Sequence, residues 1–123
     1  MFVGVRILKK LIYKLQNRFV RTCGNDIDFT TMQNMIKENF EIVLIDVRTK
    51  DEYYDNHLKH AVNIPLQDIC GKEIEKYVKS KNNIIIVYCE YGGRSKKALK
   101  KLNKMGYMNV YNLDGGIDKI ENN

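Results

Sequence analysis

"NIIIVYCEYGGRSKKALKKLNKMG", residues 83–106, joins three kinds of sequence end to end. Asn83–Tyr88 is an apolar, β-branched run of strand length. Arg94–Met105 places Ala98, Leu99, Leu102 and Met105 on one helical face, with Gly106 as its stop. Between the two stand Cys89 and the paired glycines Gly92 and Gly93. Strand, tight turn and helix in that order form the repeating unit of a parallel α/β sheet.

The flanking sequence repeats the alternation. "EIVLIDV" (41–47) is an almost continuous apolar run, as expected of a strand buried on both faces, and "AVNIP" (61–65) is a short strand stopped by the only proline. "DFTTMQNMIKENF" (28–40) predicts a helix with Thr30 or Thr31 as N-cap and Met32, Met35 and Ile36 at helical spacing. "EIEKYVKS" (73–80) predicts another helix, and "NVYNL" (109–113) a last strand before Gly115 and Gly116. No internal repeat or low-complexity tract interrupts the pattern, and 123 residues, 44% of them hydrophobic, suit one core.

Charge is unevenly placed. The formal excess is +6, but residues 1–25 hold six basic residues (Arg6, Lys9, Lys10, Lys14, Arg18, Arg21) and no acidic one, leaving residues 26–123 formally neutral. Whole-chain charge is therefore no sign of a nucleic-acid-binding face. Residues 1–22 read as a cationic amphipathic helix, with Val5, Leu8, Leu11, Ile12, Leu15 and Phe19 on one stripe. Recurrent charges exclude a secretory h-region or a membrane span. Two readings stand for this segment: packing on its own domain or on a second copy, and lying peripherally on a membrane surface. Gly24-Asn25-Asp26 reads as a linker, dividing the chain into residues 1–24 and a domain at 25–123.

Cys23, Cys70 and Cys89 are odd in number and form no C-x-x-C pair, which argues against a disulfide framework and fits a reducing cytoplasm. His57 and His60, three apart, can share a helix turn, but two imidazoles fall short of the three or four ligands that zinc takes. No metal site and no organic cofactor are expected.

Cys89 leaves a strand where ligands of open α/β sheets bind, beyond the strands' carboxyl ends. Gly92 and Gly93 allow a tight turn that points N–H groups inward, the following helix adds its positive end, and Arg94 adds a full charge. Such settings lower a cysteine pKa from about 8.5 to between about 3.5 and 7.5. The pattern makes a nucleophile. Cys23 and Cys70 lack that setting and read as small buried apolar residues.

These residues carry a family resemblance. "CEYGGRS" (89–95) resembles the loop C-x-x-G-x-R-S/A of single-domain rhodaneses, "LIDVRTKDEY" (44–53) their D-V-R-x-x-x-E-Y, "HLKHAVNIP" (57–65) their H-I-x-G-A-x-N-I-P, and "NLDGGI" (112–117) their L-x-G-G-I. The resemblance spans about residues 27–120. It implies a parallel five-stranded sheet flanked by helices, to which residues 1–22 add an extra helix. It also implies a sulfurtransferase in which Cys89 takes sulfane sulfur from thiosulfate, a polysulfide or a persulfide and passes it to a thiol or cyanide. Glu90, Tyr91, Gly92, Gly93 and Ser95 would form the persulfide loop, and Arg94 would stand near the donor's anionic group. Asp46 and Arg48 would support the site, with Arg48 pairing with Glu52, against the plainer reading of a surface ion pair and a strand-end cap.

Asn56 and His60 replace glycines usual in the family, and Ile120 replaces a tryptophan. Glu90 follows the nucleophile, where a carboxylate is expected to raise the thiol pKa and repel an anionic donor. Thiosulfate is then expected to be a poor donor and a neutral or protein-borne persulfide a better one. Cysteine phosphatases and arsenate reductases offer a rival, but their loops are C-x5-R whereas Cys89 and Arg94 are separated by four residues. A non-catalytic binding module is the other rival. Lys96, Lys97, Lys100, Lys101 and Lys104 read as the solvated face of a helix, able to attract an acidic partner.

Overall fold

The computed structural model describes residues 25–121; the amphipathic segment 1–22, the domain division at residue 24 and Cys23 lie outside the described residues. In chain order the elements are β1 (Asp26–Ile27), α1 (Phe29–Glu38), β2 (Val43–Asp46), α2 (Lys50–Asp55), β3 (Val62–Asn63), a 3-10 turn (Leu66–Asp68), α3 (Gly71–Glu75), β4 (Ile84–Tyr88), α4 (Gly93–Lys104), β5 (Asn109–Leu113) and α5 (Gly116–Glu121). All pairings are parallel, and the strands run β1-β5-β4-β2-β3 across a five-stranded sheet.

Side-chain alternation sorts the strands into two cores. Ile85, Val87 and Cys89 join Ile45, Val47, Ala98, Leu102 and Val110 beneath α4, while Ile86 and Tyr88 join Leu44, Met32, Met35 and Ile117 beneath α1 and α5. Both faces of β4 are dry, which accounts for its unbroken apolar sequence. Ile85, Ile86 and Val87 are fully buried, and each contributes on the order of 1.5–3 kcal/mol by leaving water.

Cys70, expected to be buried, is exposed at the N-cap of α3, and several boundaries differ from the sequence reading. Asp26, read as linker, is the first residue of β1: Asp26 and Ile27 pair with Asn112 and Leu113. The N-cap of α1 is Asp28, whose carboxylate accepts from Thr31 N at 2.7 Å, so neither threonine caps the helix. The helix expected over 73–80 is displaced to Gly71–Glu75, because its bonds tighten to i,i+3 at Lys76 and Tyr77 and the chain then leaves for β4. His57 and His60 share no helix turn: α2 ends at Asp55, and His60 takes a φ of 69° where the family uses glycine. His57 instead stacks on Tyr53 at 3.8 Å between ring centroids. Gly106 ends α4 with a φ of 96°, as its position suggested.

Candidate active site

Cys89 is the first residue past β4, at the carboxyl edge of the sheet, and is 1% exposed. The chain then turns through Gly92, whose φ of 113° is a left-handed conformation, and enters α4 at Gly93. Gly93 has no positive φ, and a Cβ there would meet nothing within 4 Å, so only the first of the paired glycines is required by the turn.

The turn folds N–H groups back onto the sulfur. Gly92 N donates to Cys89 Sγ at 3.1 Å and Ser95 N at 3.3 Å, while the Ser95 hydroxyl lies 3.3 Å away. That hydroxyl also donates to Gly92 O at 3.0 Å. Its single proton can serve one acceptor at a time, so it faces the carbonyl beside a thiol and turns to the sulfur beside a thiolate. Burial pushes the Cys89 thiol up; the hydrogen bonds from Ser95, Gly92 and Tyr91 outweigh it and hold the pKa below the ordinary thiol value.

Two arginines flank this turn, each with its own carboxylates. Arg48 is 2% exposed; its Nε and Nη2 bind fully buried Asp46 at 2.8–3.1 Å, Nη1 binds Glu90 Oε2 at 3.0 Å, and Nη2 also donates to Asn56 O at 2.6 Å. Burial alone would push the guanidinium pKa down; the bonds and charge of Asp46 prevail and raise it. Arg94, partly exposed, forks onto Glu52 at 2.6 and 2.9 Å. Arg94 holds the Glu52 carboxyl down to about 2, and Glu52 also closes a capping box with Thr49 at the start of α2.

These contacts correct two expectations. Arg48 pairs with Asp46 and Glu90, and Glu52 pairs with Arg94 instead. The reading of Asp46 and Arg48 as a surface pair fails on their burial. The Glu90 carboxylate is held by Arg48, and the N–H ring sets the direction of the Cys89 shift. The alternation of side chains explains the geometry: Asp46 and Tyr88 are register partners, so Arg48 and Glu90 fall side by side two residues further along each chain.

The sequence reading missed Tyr88 and gave Gly116 no role at the site. Tyr88 OH accepts from Leu58 N at 3.0 Å, tying the loop after α2 to the central strand; burial pushes this phenol up and keeps it neutral. Gly116 has a φ of 65°, and a Cβ on it would lie 2.4 Å from Glu90 O and 2.5 Å from Cys89 O. The helix it opens donates Ile117 N to Cys89 O and Asp118 N to Glu90 O, both at 3.0 Å. The glycine pair in "NLDGGI" was the available signal for this contact. Ile120, standing in for the usual tryptophan, packs on the core beneath α5.

A parallel α/β sheet whose central strand ends in a thiol ringed by N–H donors belongs to the class of loop-based cysteine sites, built to stabilise negative charge on or beside one sulfur. The chain is a member of the rhodanese-like domain family, whose model matches residues 28–123. It is 39% identical over 71 residues to the thiosulfate sulfurtransferase PspE of Escherichia coli, covering 58% of this chain and 67% of that one. It is 36% identical over 104 residues to the adenylyltransferase and sulfurtransferase UBA4 of Candida albicans, covering 80% of this chain but 23% of that protein. The chain thus spans about a quarter of that larger relative. A solved rhodanese from E. coli, determined with anions, superimposes with a TM-score of 0.58 at 38% identity over 63% of this chain and 89% of its own. No helix among the described residues is long and apolar enough to cross a membrane.

Proposed function

We propose that the protein is a sulfurtransferase that carries sulfane sulfur on Cys89. The observation that bears most weight is the ring of Gly92 N, Ser95 N and Ser95 Oγ around a buried sulfur whose pKa lies below the ordinary thiol value. In the first half-reaction the Cys89 thiolate attacks the donor's outer sulfur; a new S–S bond forms, and the donor's own sulfur leaves with the bonding pair, as sulfite in the case of thiosulfate. In the second, an acceptor thiolate or cyanide attacks the outer sulfur of the persulfide, and the Cys89 thiolate leaves. No external oxidant or reductant enters either step. The N–H ring serves both, because each begins or ends with negative charge at this turn. Glu90, Tyr91, Gly92, Gly93 and Ser95 form the persulfide loop, and Arg48, fixed by Asp46, holds Glu90 from the neighbouring strand. Arg94, with Glu52 on it, sits at the rim.

The charges around the turn favour a donor other than thiosulfate. Arg48 is matched by Asp46 and Glu90, and Arg94 by Glu52, so these five residues sum to one negative charge. A dianion gains little there, whereas a neutral or protein-borne persulfide is not repelled.

Intact mass spectrometry of reduced wild type and Cys89→Ser after exposure to thiosulfate or to polysulfide tests the reading. An adduct of about 32 Da on wild type alone, discharged by cyanide as thiocyanate, is expected. Absence of the adduct with every donor would overturn it. Glu90→Gln should raise thiosulfate turnover about threefold to tenfold by removing one negative charge, and an unchanged rate would reject the charge argument.

A further inference from the structure

The formal neutrality of residues 26–123 conceals a strong separation of charge. Six of their fifteen basic residues, and none of their fifteen acidic ones, lie in α4. The remainder of the domain therefore carries nine basic residues against fifteen acidic. The positive pole is a single helix, and it begins four residues after Cys89.

The lysines of this helix are not needed to hold the fold together. Lys96, Lys97, Lys100, Lys101 and Lys104 are all exposed, while Ala98 and Leu102 fill the core beneath them. Lys101 and Lys104 occupy the last turn, where they complement the helix dipole, and Lys101 reaches Leu66 O at 3.4 Å. Lys96 stands 4.0 Å from Asp26. Lys97 and Lys100 have neither role. From Lys97 to Lys104 the ammonium groups extend along about 10 Å of helix axis.

We infer that the lysine face of α4 is a docking surface for an acidic protein that exchanges sulfur with Cys89. The inference rests on the sulfurtransferase reading and names its partner class. The two arginines flanking the turn, Arg48 and Arg94, are each neutralised by carboxylates, so attraction for a small anion is weak where the chemistry occurs. The exposed lysines lie along the helix that leaves the Cys89 turn, from about 5 to about 16 Å along its axis, an extent that suits a macromolecular surface. Tyr91 adds a second feature, in the turn itself: its N–H points to Cys89 while the residue is 72% exposed. An exposed tyrosine beside the reactive atom, bordered by a charged helix, is the composition of an interface with an aromatic anchor and a polar rim. A lipid surface is less well matched, because Ala98 and Leu102 are buried and half-buried Leu99 packs against the core, so α4 presents no apolar stripe to insert. Nucleic acid is less well matched because Tyr91 stands ahead of the helix and no further aromatic side chain is interleaved with the lysines to stack successive bases.

The test uses the full chain and two helical-bundle scaffolds that each carry one surface cysteine and differ only in surface charge, about −8 and about +8. Stopped-flow transfer from the Cys89 persulfide to each reduced scaffold is compared with transfer to 2-mercaptoethanol. For wild type, the acidic scaffold should react at least about tenfold faster than the basic one, and that preference should collapse between about 20 and about 300 mM salt. In Lys97→Glu/Lys100→Glu, the ratio of the acidic-scaffold rate to the 2-mercaptoethanol rate should fall about tenfold. The two new glutamates face Lys101 and Lys104 at i,i+4 spacing, so the helix keeps its support. Because residues 1–25 are also basic, Arg6→Glu/Lys10→Glu/Lys14→Glu is run beside it. Loss of the preference in that variant and its retention in the α4 variant would overturn the assignment, as would equal rates on the two scaffolds. Binding to phosphatidylserine vesicles or to oligo(dT) that depends on Lys97 and Lys100, without scaffold preference, would replace the protein partner by a lipid or nucleic acid. If no sulfur reaches 2-mercaptoethanol, the sulfurtransferase reading fails. Anisotropy of the labelled acidic scaffold then decides the docking question alone: α4-dependent binding upholds it and none rejects it.

Discussion

Arg48 and Arg94 are the same residue type beside the same sulfur, yet they occupy opposite regimes. Arg48 is sealed at 2% exposure between two carboxylates and a backbone carbonyl, and Arg94 meets one carboxylate at a side chain left 38% exposed. A buried guanidinium cannot let go of its partners without leaving uncompensated charge in the core, so it acts as framework. An exposed one exchanges its partner for water at small cost, so it can respond to whatever arrives. Position in the fold, and not residue chemistry, makes the difference.

The largest effect that would break this contrast is on stability. Arg48→Ala should cost about 3–5 kcal/mol, read as a fall in the denaturant midpoint, because buried Asp46 loses its counter-charge. Removing both charges in Asp46→Leu/Arg48→Met should cost less than the single change; an equal or greater loss would show that the pair is not what the cluster depends on. Arg94→Ala should change stability by only about 0–1 kcal/mol, and a loss near that of Arg48→Ala would erase the distinction.

A smaller effect, on activity, sharpens it. Glu52→Gln keeps the capping box with Thr49, since glutamine can fill that role, but releases Arg94. Thiosulfate kcat/KM should rise about threefold to fivefold as one cation becomes available at the rim. The smallest effect is on acid stability. The Glu52 pKa is depressed in the folded state to about 2, so its contribution is fully present above its unfolded value of about 4.3 and is lost as pH falls from there through about 2. The difference in midpoint between wild type and Arg94→Ala should vanish across that interval, and in high salt it should be small throughout.

Local sequence carried some of these features and not others. β5 and α4 were legible to within a residue because each has enough length to show its period. β1 was not, since two residues have no period and Asp26–Ile27 is a strand only by pairing with β5. The turn from Cys89 to Ser95 was legible because its geometry is set by seven consecutive residues. The salt-bridge partners were not, because Arg48 and Glu90, like Glu52 and Arg94, are 42 residues apart and meet through the alignment of β2 with β4. Glu52 lies four residues after Arg48, which suggested a helical pair, but Thr49 starts a new helix between them and turns the two side chains to different partners.

The bonds from Ile117 N to Cys89 O and from Asp118 N to Glu90 O hold the turn through a helix of six residues. Short terminal helices open far more often than the sheet beneath them. Amide exchange at Ile117 and Asp118 therefore becomes a clock for the thiol: each opening of α5 releases two carbonyls of the turn. Deuterium uptake at these amides should rise and fall with the alkylation rate of Cys89 as temperature changes, while the amides of β4 stay protected.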